Sequence, residues 1–271
     1  QDELAHPSLV RANRALTYPI VSVVHHLRAS EPRRLAPLYR GPLADLEPPR
    51  APTAAATPLS RLADPEWLRP AIAAFATAHG HDDELAAASQ WSKHYMAATV
   101  VPAVVANLLL ARDITTLGTE SVGALLSDDN GVLAIALTDD LAPVSASGAG
   151  RFAGLIDGVI LPAANALAGL TGASPRVFTS NAGNVFEYIT SVVADHPDAP
   201  DGAAEPAYQL MARRRQPDGR ANPLYQPVRY YTDAKGNRHR VRRLCCIRYR
   251  ADNLDYCSNC PLLAENQALR E

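Results

Sequence analysis

Residues 245–260 read Cys-Cys-Ile-Arg-Tyr-Arg-Ala-Asp-Asn-Leu-Asp-Tyr-Cys-Ser-Asn-Cys and contain all four cysteines of the 271-residue chain. Cys245 and Cys246 are adjacent, ten residues follow, and Cys257 and Cys260 form a C-x2-C pair. Four thiolates this close in sequence can converge on one point if the intervening residues turn back. The segment therefore predicts a zinc ion, an iron–sulfur cluster or two disulfides near the C-terminus.

The spacing favours an iron–sulfur cluster and leaves zinc as the second choice. Structural zinc sites usually take their ligands from two separated pairs, each of which wraps one flank of the ion. Adjacent cysteines do this badly because their side chains tend to diverge. A 2Fe-2S cluster is wider and has two irons to serve, so it tolerates neighbouring cysteines better.

The composition is typical of a globular protein and implies no partner by itself. Hydrophobic residues make up 47% of the chain, charged residues 20%, and the net charge is −2. The first residues contain no basic region followed by an apolar run, so we expect no secretory signal. The longest apolar run, Tyr95 to Ala111, is shorter than the roughly 20 residues of a membrane helix and predicts a buried helix instead of a membrane span. We expect a cytoplasmic protein, in which thiols stay reduced and disulfides are disfavoured.

Capping residues predict a largely helical body. Asp64-Pro65-Glu66 supplies an N-cap, a proline at the first helical position and an acid in the first turn, so a helix should run to His79 and end at Gly80. A second helix should start after residues 82–84 and continue to Ala111 as the central core helix. Further helices are predicted over residues 8–29, from the glycines at 148 and 150 to residue 170, over 181–195, and briefly through Tyr208.

Two hairpins are predicted between the helices and the cysteines. The turn at Asp128-Asp129-Asn130-Gly131 separates two apolar, extended runs. A second turn at residues 233–237 predicts a hairpin that delivers Cys245 and Cys246. Seven prolines between residues 31 and 58 indicate an extended linker or surface wrap. We therefore expect an α+β fold with a mainly helical body, small antiparallel β-sheets and a short C-terminal cysteine-rich segment.

A glycine pattern at residues 148–153, G-x-G-x-x-A, is also found in dinucleotide-binding sites. Such a site needs a buried parallel strand before the glycines and an acidic residue about twenty positions after them. The sequence near residue 170 reads Leu-Thr-Gly-Ala-Ser-Pro and has no acid. A flexible loop at the start of a helix is therefore the favoured interpretation.

Positive charge is concentrated beside the cysteines. Residues 205–250 contain 12 Lys or Arg and 3 acids, a balance of +9, so the rest of the chain carries −11. A run of arginines is often only a solvated face or a nucleic-acid patch. Next to a cysteine cluster it could instead attract an acidic electron donor or an anionic iron chelate, and could offset the charge of a four-thiolate cluster.

The cysteine pattern C-C-x10-C-x2-C, followed by Pro261-Leu-Leu, resembles the C-terminal motif of the FhuF-type ferric siderophore reductases. The segments Ser89-Gln-Trp91-Ser-Lys-His-Tyr95 and Ser180-Asn181-Ala-Gly-Asn184 resemble other stretches of that family. The likeness runs from about residue 85 to 265 and suggests three parts. These are a helical and Pro-rich region (1–84), a helical and hairpin body (85–204), and a basic hairpin with the cluster-binding segment (205–271).

The resemblance implies that Cys245, Cys246, Cys257 and Cys260 are the ligands of a 2Fe-2S cluster. It also suggests that a substrate pocket is lined by residues of the basic segment and of the two upstream stretches. These are Arg240, Arg242, Arg243, Trp91, Lys93, Tyr95 and Asn181, with Arg213 to Arg215 as further candidates. From the residues alone, the default is that Trp91 and Tyr95 pack on one helix face, that Lys93 and His94 are solvated, and that Asn181 caps backbone groups.

The family likeness implies a ferric siderophore reductase that passes one electron from a reduced ferredoxin or flavoprotein to siderophore-bound Fe(III). We expect no nucleic-acid partner and no catalytic residue beyond the cluster ligands. The alternative is a non-catalytic protein in which the four cysteines hold structural zinc and the arginine-rich segment binds nucleic acid.

Overall fold

A computed structural model describes residues 35–138 and 141–269. The helix predicted over residues 8–29 lies outside these ranges. The described helices are α1 (Pro65–His79), α2 (Glu84–Leu110), α3 (Leu161–Thr171), α4 (Pro175–Ala194), α5 (Glu205–Ala212) and α6 (Ala264–Ala268). The strands are β1 (Thr57–Pro58), β2 (Arg112–Asp113), β3 (Gly123–Leu126), β4 (Val132–Ala136), β5 (Ala142–Pro143), β6 (Val228–Thr232) and β7 (Arg238–Arg242).

The first two helices begin and end where their capping residues predict. The Asp64 carboxylate accepts a hydrogen bond from the Glu66 amide at 2.9 Å, and Gly80 ends α1 in the left-handed conformation. Asp83 caps α2 in the same way, accepting from the Ala86 amide at 2.7 Å. These local signals separate α1 from α2 and set the start of the longest helix.

Helix α2 is the centre of the hydrophobic core, as predicted. It packs against α1, α3, α4 and β4, and most of its residues are buried on every face. The Pro-rich segment before α1 adds buried leucines to the same core, among them Leu35, Leu38 and Leu43. This segment is therefore a wrap whose apolar side chains point inward.

Three small antiparallel sheets complete the α+β fold. Strands β3 and β4 form the predicted hairpin around Asn130 and Gly131, and β1 adds a third strand on the other edge of β3. Asn130 has a positive φ of 63° and its amide donates to the Ser127 carbonyl at 2.9 Å, so the chain reverses over residues 127–130 with Asn130 in the left-handed position. Strands β2 and β5 pair with each other, and β6 and β7 form the second predicted hairpin.

The predicted start of α4 needs correction, whereas the glycine pattern before α3 forms no dinucleotide site, as expected. Helix α4 begins at Pro175, capped by the Ser174 hydroxyl, and not at Asn181, because a proline at the first position fixes a helical φ. The glycine pattern at residues 148–153 forms a 3₁₀ turn, followed by a π-helical turn at Leu155–Ile160 and then by α3. The strand before it, β5, has two residues and pairs antiparallel, so the geometry of a dinucleotide site is not formed there.

Two helical stretches are long and apolar enough to pass a test for membrane spans, Glu84–Leu110 and Gly148–Thr171. The core helix of a soluble protein passes the same test. The first stretch is α2, and 72% of its most apolar window is buried inside the structure; the figure for the second is 39%. These two helices are weak support for a membrane location.

The second hairpin lies directly on helix α4 at a glycine. A Cβ added to Gly183 would lie 2.7 Å from the Cβ of Pro227, the residue just before β6. Real Cβ atoms essentially never come so close to another carbon, so any side chain at this position would push the hairpin away. Gly183 therefore sets the distance between α4 and the strands that lead to the cysteines.

We expect Gly183→Ala to destabilise the protein by about 1–3 kcal/mol, because the overpacking outweighs the gain in helix propensity. Chemical denaturation measures the change in the free energy of unfolding. Gly169→Ala is the matched control, since Gly169 is also helical and has no atom near its added Cβ; it should be neutral or stabilising by up to about 1 kcal/mol. Equal effects of the two variants would contradict the close approach at Gly183.

Candidate metal centre

The four cysteines converge at one place, between the end of β7 and α6. The Sγ atoms of Cys245 and Cys260 lie 3.6 Å apart, and Cys246 contacts both Cys245 and Cys257. Two thiolates bound at about 2.3 Å to one tetrahedral metal ion lie about 3.8 Å apart. The Cys245–Cys260 separation therefore suits two ligands of the same metal ion.

Tight backbone turns aim the sulfurs at this place. Ile247 has a positive φ of 56°, which is rare for a β-branched residue, and its amide donates to the Cys245 Sγ at 3.2 Å. The Leu262 amide donates to the Cys260 Sγ at 3.4 Å. A further turn, from the Cys260 amide to the Cys257 carbonyl at 2.8 Å, closes the C-x2-C loop. Backbone amides that donate to sulfur stabilise thiolates and metal-bound thiolates.

A buried polar network fixes the cysteine segment to α2 and α4. The Ser89 hydroxyl donates to the Cys246 carbonyl at 2.5 Å. The Asn181 amide group donates to the Ser89 carbonyl at 3.1 Å and to the Ser92 hydroxyl at 2.7 Å. The Asn181 Oδ1 in turn accepts from the Arg242 guanidinium at 2.7 Å. Asn181 thus bridges both helices and the last residue of β7.

Two positively charged side chains, Arg242 and Lys93, lie buried beside Cys246 and Cys257. Arg242 is 4% exposed and donates to the Ser180 hydroxyl at 2.9 Å, and Lys93 is 6% exposed and donates to the Gln90 Oε1 at 2.9 Å. The solvated position predicted for Lys93 is therefore wrong. Contacts with the Cys245 and Cys257 thiols, together with these two cations, hold the pKa of Cys246 far below that of a free thiol. The hydrogen bond to Cys246 and burial raise the pKa of Cys257.

The residues at the site fit an anionic two-iron cluster. The sulfurs contact one another in the order Cys260, Cys245, Cys246 and Cys257, and among the described residues no three His, Cys, Asp or Glu side chains surround a single-ion position. The Arg242 Nε and the Gln90 Nε2 are buried and have no hydrogen-bond partner. A 2Fe-2S cluster with four thiolates carries two negative charges when oxidised. Unpaired donors and cations beside the sulfurs suit that charge.

The loop between the two cysteine pairs is fastened to the junction of α1 and α2. The Arg250 Nε donates to the Asp83 carboxylate at 2.8 Å. The Asn253 Nδ2 donates to the His79 carbonyl at 2.8 Å, and the Asn253 Oδ1 lies 3.1 Å from the His81 Nδ1. The ten intervening residues therefore do turn back, as convergence of the cysteines requires.

Arg240 is held in an ion pair beside the site. Its guanidinium donates to the Glu187 carboxylate at 2.6 Å and to the Asn184 side chain at 2.9 Å. Asn184 also accepts from Asn259, a residue within the C-x2-C loop, at 3.1 Å. The role that the structure gives to Arg240 is to join the hairpin to α4. Its charge is already paired, and its side chain is only 13% exposed.

Arg243 belongs to a second group of arginines, on the surface. Its guanidinium lies 5.2 Å from the ring centre of Tyr225, and that of Arg214 lies 5.5 Å from the same ring. Burial, followed by the charges of Arg176, Arg229 and Arg214, lowers the pKa of Arg243. We call these four arginines and Tyr225 the basic patch. No ion pair involving any of the four was found among the described residues.

Trp91 and Tyr95 are core residues. Their rings stack with centres 5.6 Å apart, and both side chains are fully buried. The Trp91 indole donates to the Asn130 carbonyl at 2.8 Å and the Tyr95 hydroxyl to the Val159 carbonyl at 3.3 Å. The packing predicted from their spacing is confirmed, and neither ring has a free surface on which a substrate could lie.

The sequence predicts that Asn181 satisfies backbone groups, but it does not predict its side-chain partners Ser92 and Arg242. Asn181, Asn184 and Glu187 are spaced three apart and Ser180 is four before Asn184, so these residues form one polar stripe along helix α4. Such a stripe on a buried helix is a sign of buried hydrogen bonding and could have been found from periodicity. Arg176 and Arg229 gave no signal, because they reach the basic patch from different elements.

Comparison with protein families agrees with this geometry. A family model described as "Ferric iron reductase FhuF-like transporter" matches residues 89–238, which is more than half of the chain, and one described as "FhuF 2Fe-2S C-terminal domain" matches residues 242–262. A search of curated proteins found no match. The second model spans all four cysteines, so the cofactor is a 2Fe-2S cluster and structural zinc is set aside. The chain belongs to the FhuF-like ferric iron reductase family.

Proposed function

We propose that this protein is a cytoplasmic ferric siderophore reductase that gives one electron to siderophore-bound Fe(III) and so releases Fe(II). The observation that carries the proposal is the convergence of four cysteines at a site where Cys245 and Cys257 are partly exposed. The family supports ferric iron as the species reduced. The cytoplasm is proposed because thiols and reduced electron donors persist there.

The bound 2Fe-2S cluster supplies a centre that accepts and donates one electron at a time. Siderophores hold the hard ferric ion through oxygen donors, and the softer ferrous ion binds those oxygens less tightly. One electron therefore suffices for release, and no nucleophile or general base is needed. The chain's residues hold the cluster at the protein edge and fix its electrostatic surroundings.

The proposed docking surface for the ferric chelate is the basic patch. The original candidates Arg240 and Arg242 are paired or buried, whereas Arg176, Arg214 and Arg229 are exposed and Arg243 is partly exposed. Arg243 is two residues before Cys245, so a chelate with net negative charge that binds the patch lies next to the cluster. Long-range attraction by exposed arginines mainly speeds encounter and depends on salt.

The proposed electron donor is a reduced ferredoxin or flavoprotein, because these proteins deliver single electrons. The exposed edge that it uses includes the loop between the cysteine pairs. Tyr249 and Tyr256 of this loop form an exposed ring pair with centres 4.9 Å apart. Tyr256 precedes the partly exposed Cys257, so this face offers a second approach to the cluster.

We expect Cys257→Ser to lower the rate of ferric siderophore reduction at least about a hundredfold, because loss of a ligand exceeds the effect of losing an outer-shell partner. The rate is measured as Fe(II) captured by a ferrous-specific chelator. Ser258→Ala is the control, since Ser258 is exposed in the same loop. A Cys257→Ser protein that reduces the siderophore at the normal rate would overturn the proposal.

Arg214→Gln and Arg229→Gln should each raise the KM for an anionic ferric siderophore roughly two- to fivefold, the effect of an exposed charge pair. The kcat should change little, and the difference from the wild type should shrink at high salt because the interaction is screened. Steady-state kinetics at two salt concentrations tests this. Arg69→Gln on α1 makes the same charge change outside the patch; an equal rise in its KM would argue against docking at the patch.

A further inference from the structure

Lys93 and Arg242 are buried beside the cysteines, and within residues 35–138 and 141–269 neither forms an ion pair with a carboxylate. Lysine and arginine side chains are almost never fully buried unless they are paired. The Arg242 side chain donates to two neutral groups, Ser180 and Asn181. Lys93 donates to the neutral Gln90 and is also hydrogen-bonded to the Cys246 side chain. The negatively charged groups that act on Lys93 are the thiolates of Cys246 and Cys257.

The network around the two cations is rigid. Lys93 and Gln90 are one turn apart on α2, and Arg242 is fixed by two side chains of α4. Helix α2 also holds the Cys246 backbone, through the Ser89 hydroxyl. Packed helices, and not mobile surface side chains, therefore hold Lys93 and Arg242 close to the sulfurs of Cys246 and Cys257.

The four sulfurs fall into two spatial groups, Cys245 with Cys260 and Cys246 with Cys257, and the two groups have different surroundings. Cys245 and Cys260 receive backbone amides, from Ile247 and Leu262 respectively. Cys246 and Cys257 instead face the side-chain cations Lys93 and Arg242. Fixed positive charge is thus concentrated on one side of the site.

Fixed charge has a direct consequence for electron transfer. Adding one electron makes the cluster more negative, while no bond to the protein forms or breaks. A buried cation nearby favours the more negative state, and its effect is weakly screened because water is excluded. The charges of the exposed arginines in the basic patch act more weakly on the cluster, because solvent and salt screen them.

We propose that Lys93 and Arg242 are positioning residues: their fixed positive charges, which lie next to Cys246 and Cys257, raise the reduction potential of the cluster. They do not contact the chelated iron. Their function is to let the cluster accept an electron from a reduced ferredoxin or flavoprotein and hold it until a ferric chelate docks. The proposal rests on the 2Fe-2S cofactor and is independent of which ferric compound is the substrate.

The test is the midpoint potential of the purified holoprotein, followed by visible absorption in a potentiometric titration. Lys93→Met removes the charge and keeps an apolar stem of similar length. At a fixed applied potential it should lower the ratio of reduced to oxidised cluster about tenfold, equivalent to about 59 mV for one electron. Lys93→Arg restores the charge and should return the potential close to that of the wild type.

Arg243→Gln is the matched control, since it removes one positive charge next to Arg242 at a partly exposed site. A shift with Lys93→Met that is rescued by Lys93→Arg and much smaller in Arg243→Gln supports the proposal. Equal shifts in Lys93→Met and Arg243→Gln, or none in either, would overturn it. If Lys93→Met assembles no cluster, Arg242→Lys is measured in its place. Retention of the charge predicts a potential near that of the wild type, and a fall as large as that predicted for Lys93→Met contradicts the proposal.

This outcome is separable from that of the proposed function. The potential can be measured without a siderophore. A protein that shows the predicted shift but fails to reduce any ferric siderophore would refute the siderophore substrate and leave the role of Lys93 and Arg242 intact.

Discussion

The site depends on the buried hydrogen bonds of Asn181. This one side chain donates to Ser89 and Ser92 of α2 and accepts from Arg242 at the end of β7. An amide that is buried must satisfy both its donor and its acceptor, so the two helices and the hairpin are fixed relative to one another. The hydrogen bond from the Ser89 hydroxyl to the Cys246 carbonyl fixes the cysteine segment to the same network. Three separated stretches of sequence therefore act as one structural unit.

The fixed network also explains how charge is divided at the site. Arg240 joins the hairpin to α4 through its ion pair with Glu187. Arg242 binds Asn181 and places its charge beside Cys246. Arg243 points instead to the surface, where it joins the basic patch around Tyr225. Alternate residues of a strand face opposite sides, which places Arg240 and Arg242 on one face. In our proposals, one arginine-rich strand therefore contributes to the reduction potential of the cluster and leads into the docking surface.

Local signals predicted much of this fold, whereas long-range contacts were not accessible from sequence. The N-cap Asp64, the hairpin at Asn130-Gly131 and the convergence of the cysteines each depend on a few neighbouring residues, and all were confirmed. The burial of Lys93 was not predicted, since it depends on thiolates more than 150 positions later in the chain. Helix α4 starts six residues before the predicted Asn181, because Ser174 supplies an N-cap and Pro175 occupies the first helical position. The division into parts at residues 84 and 204 stays a prediction.

The most direct test of the account is an anaerobic titration of the dithionite-reduced holoprotein, freed of excess reductant, with a ferric siderophore. The visible bands of the oxidised cluster should return as siderophore is added, and one Fe(II) should appear for each cluster that is reoxidised. That result would confirm one-electron transfer from the four-cysteine site to chelated iron. A cluster that stays reduced in the presence of excess ferric siderophore, with no Fe(II) released, would contradict the account.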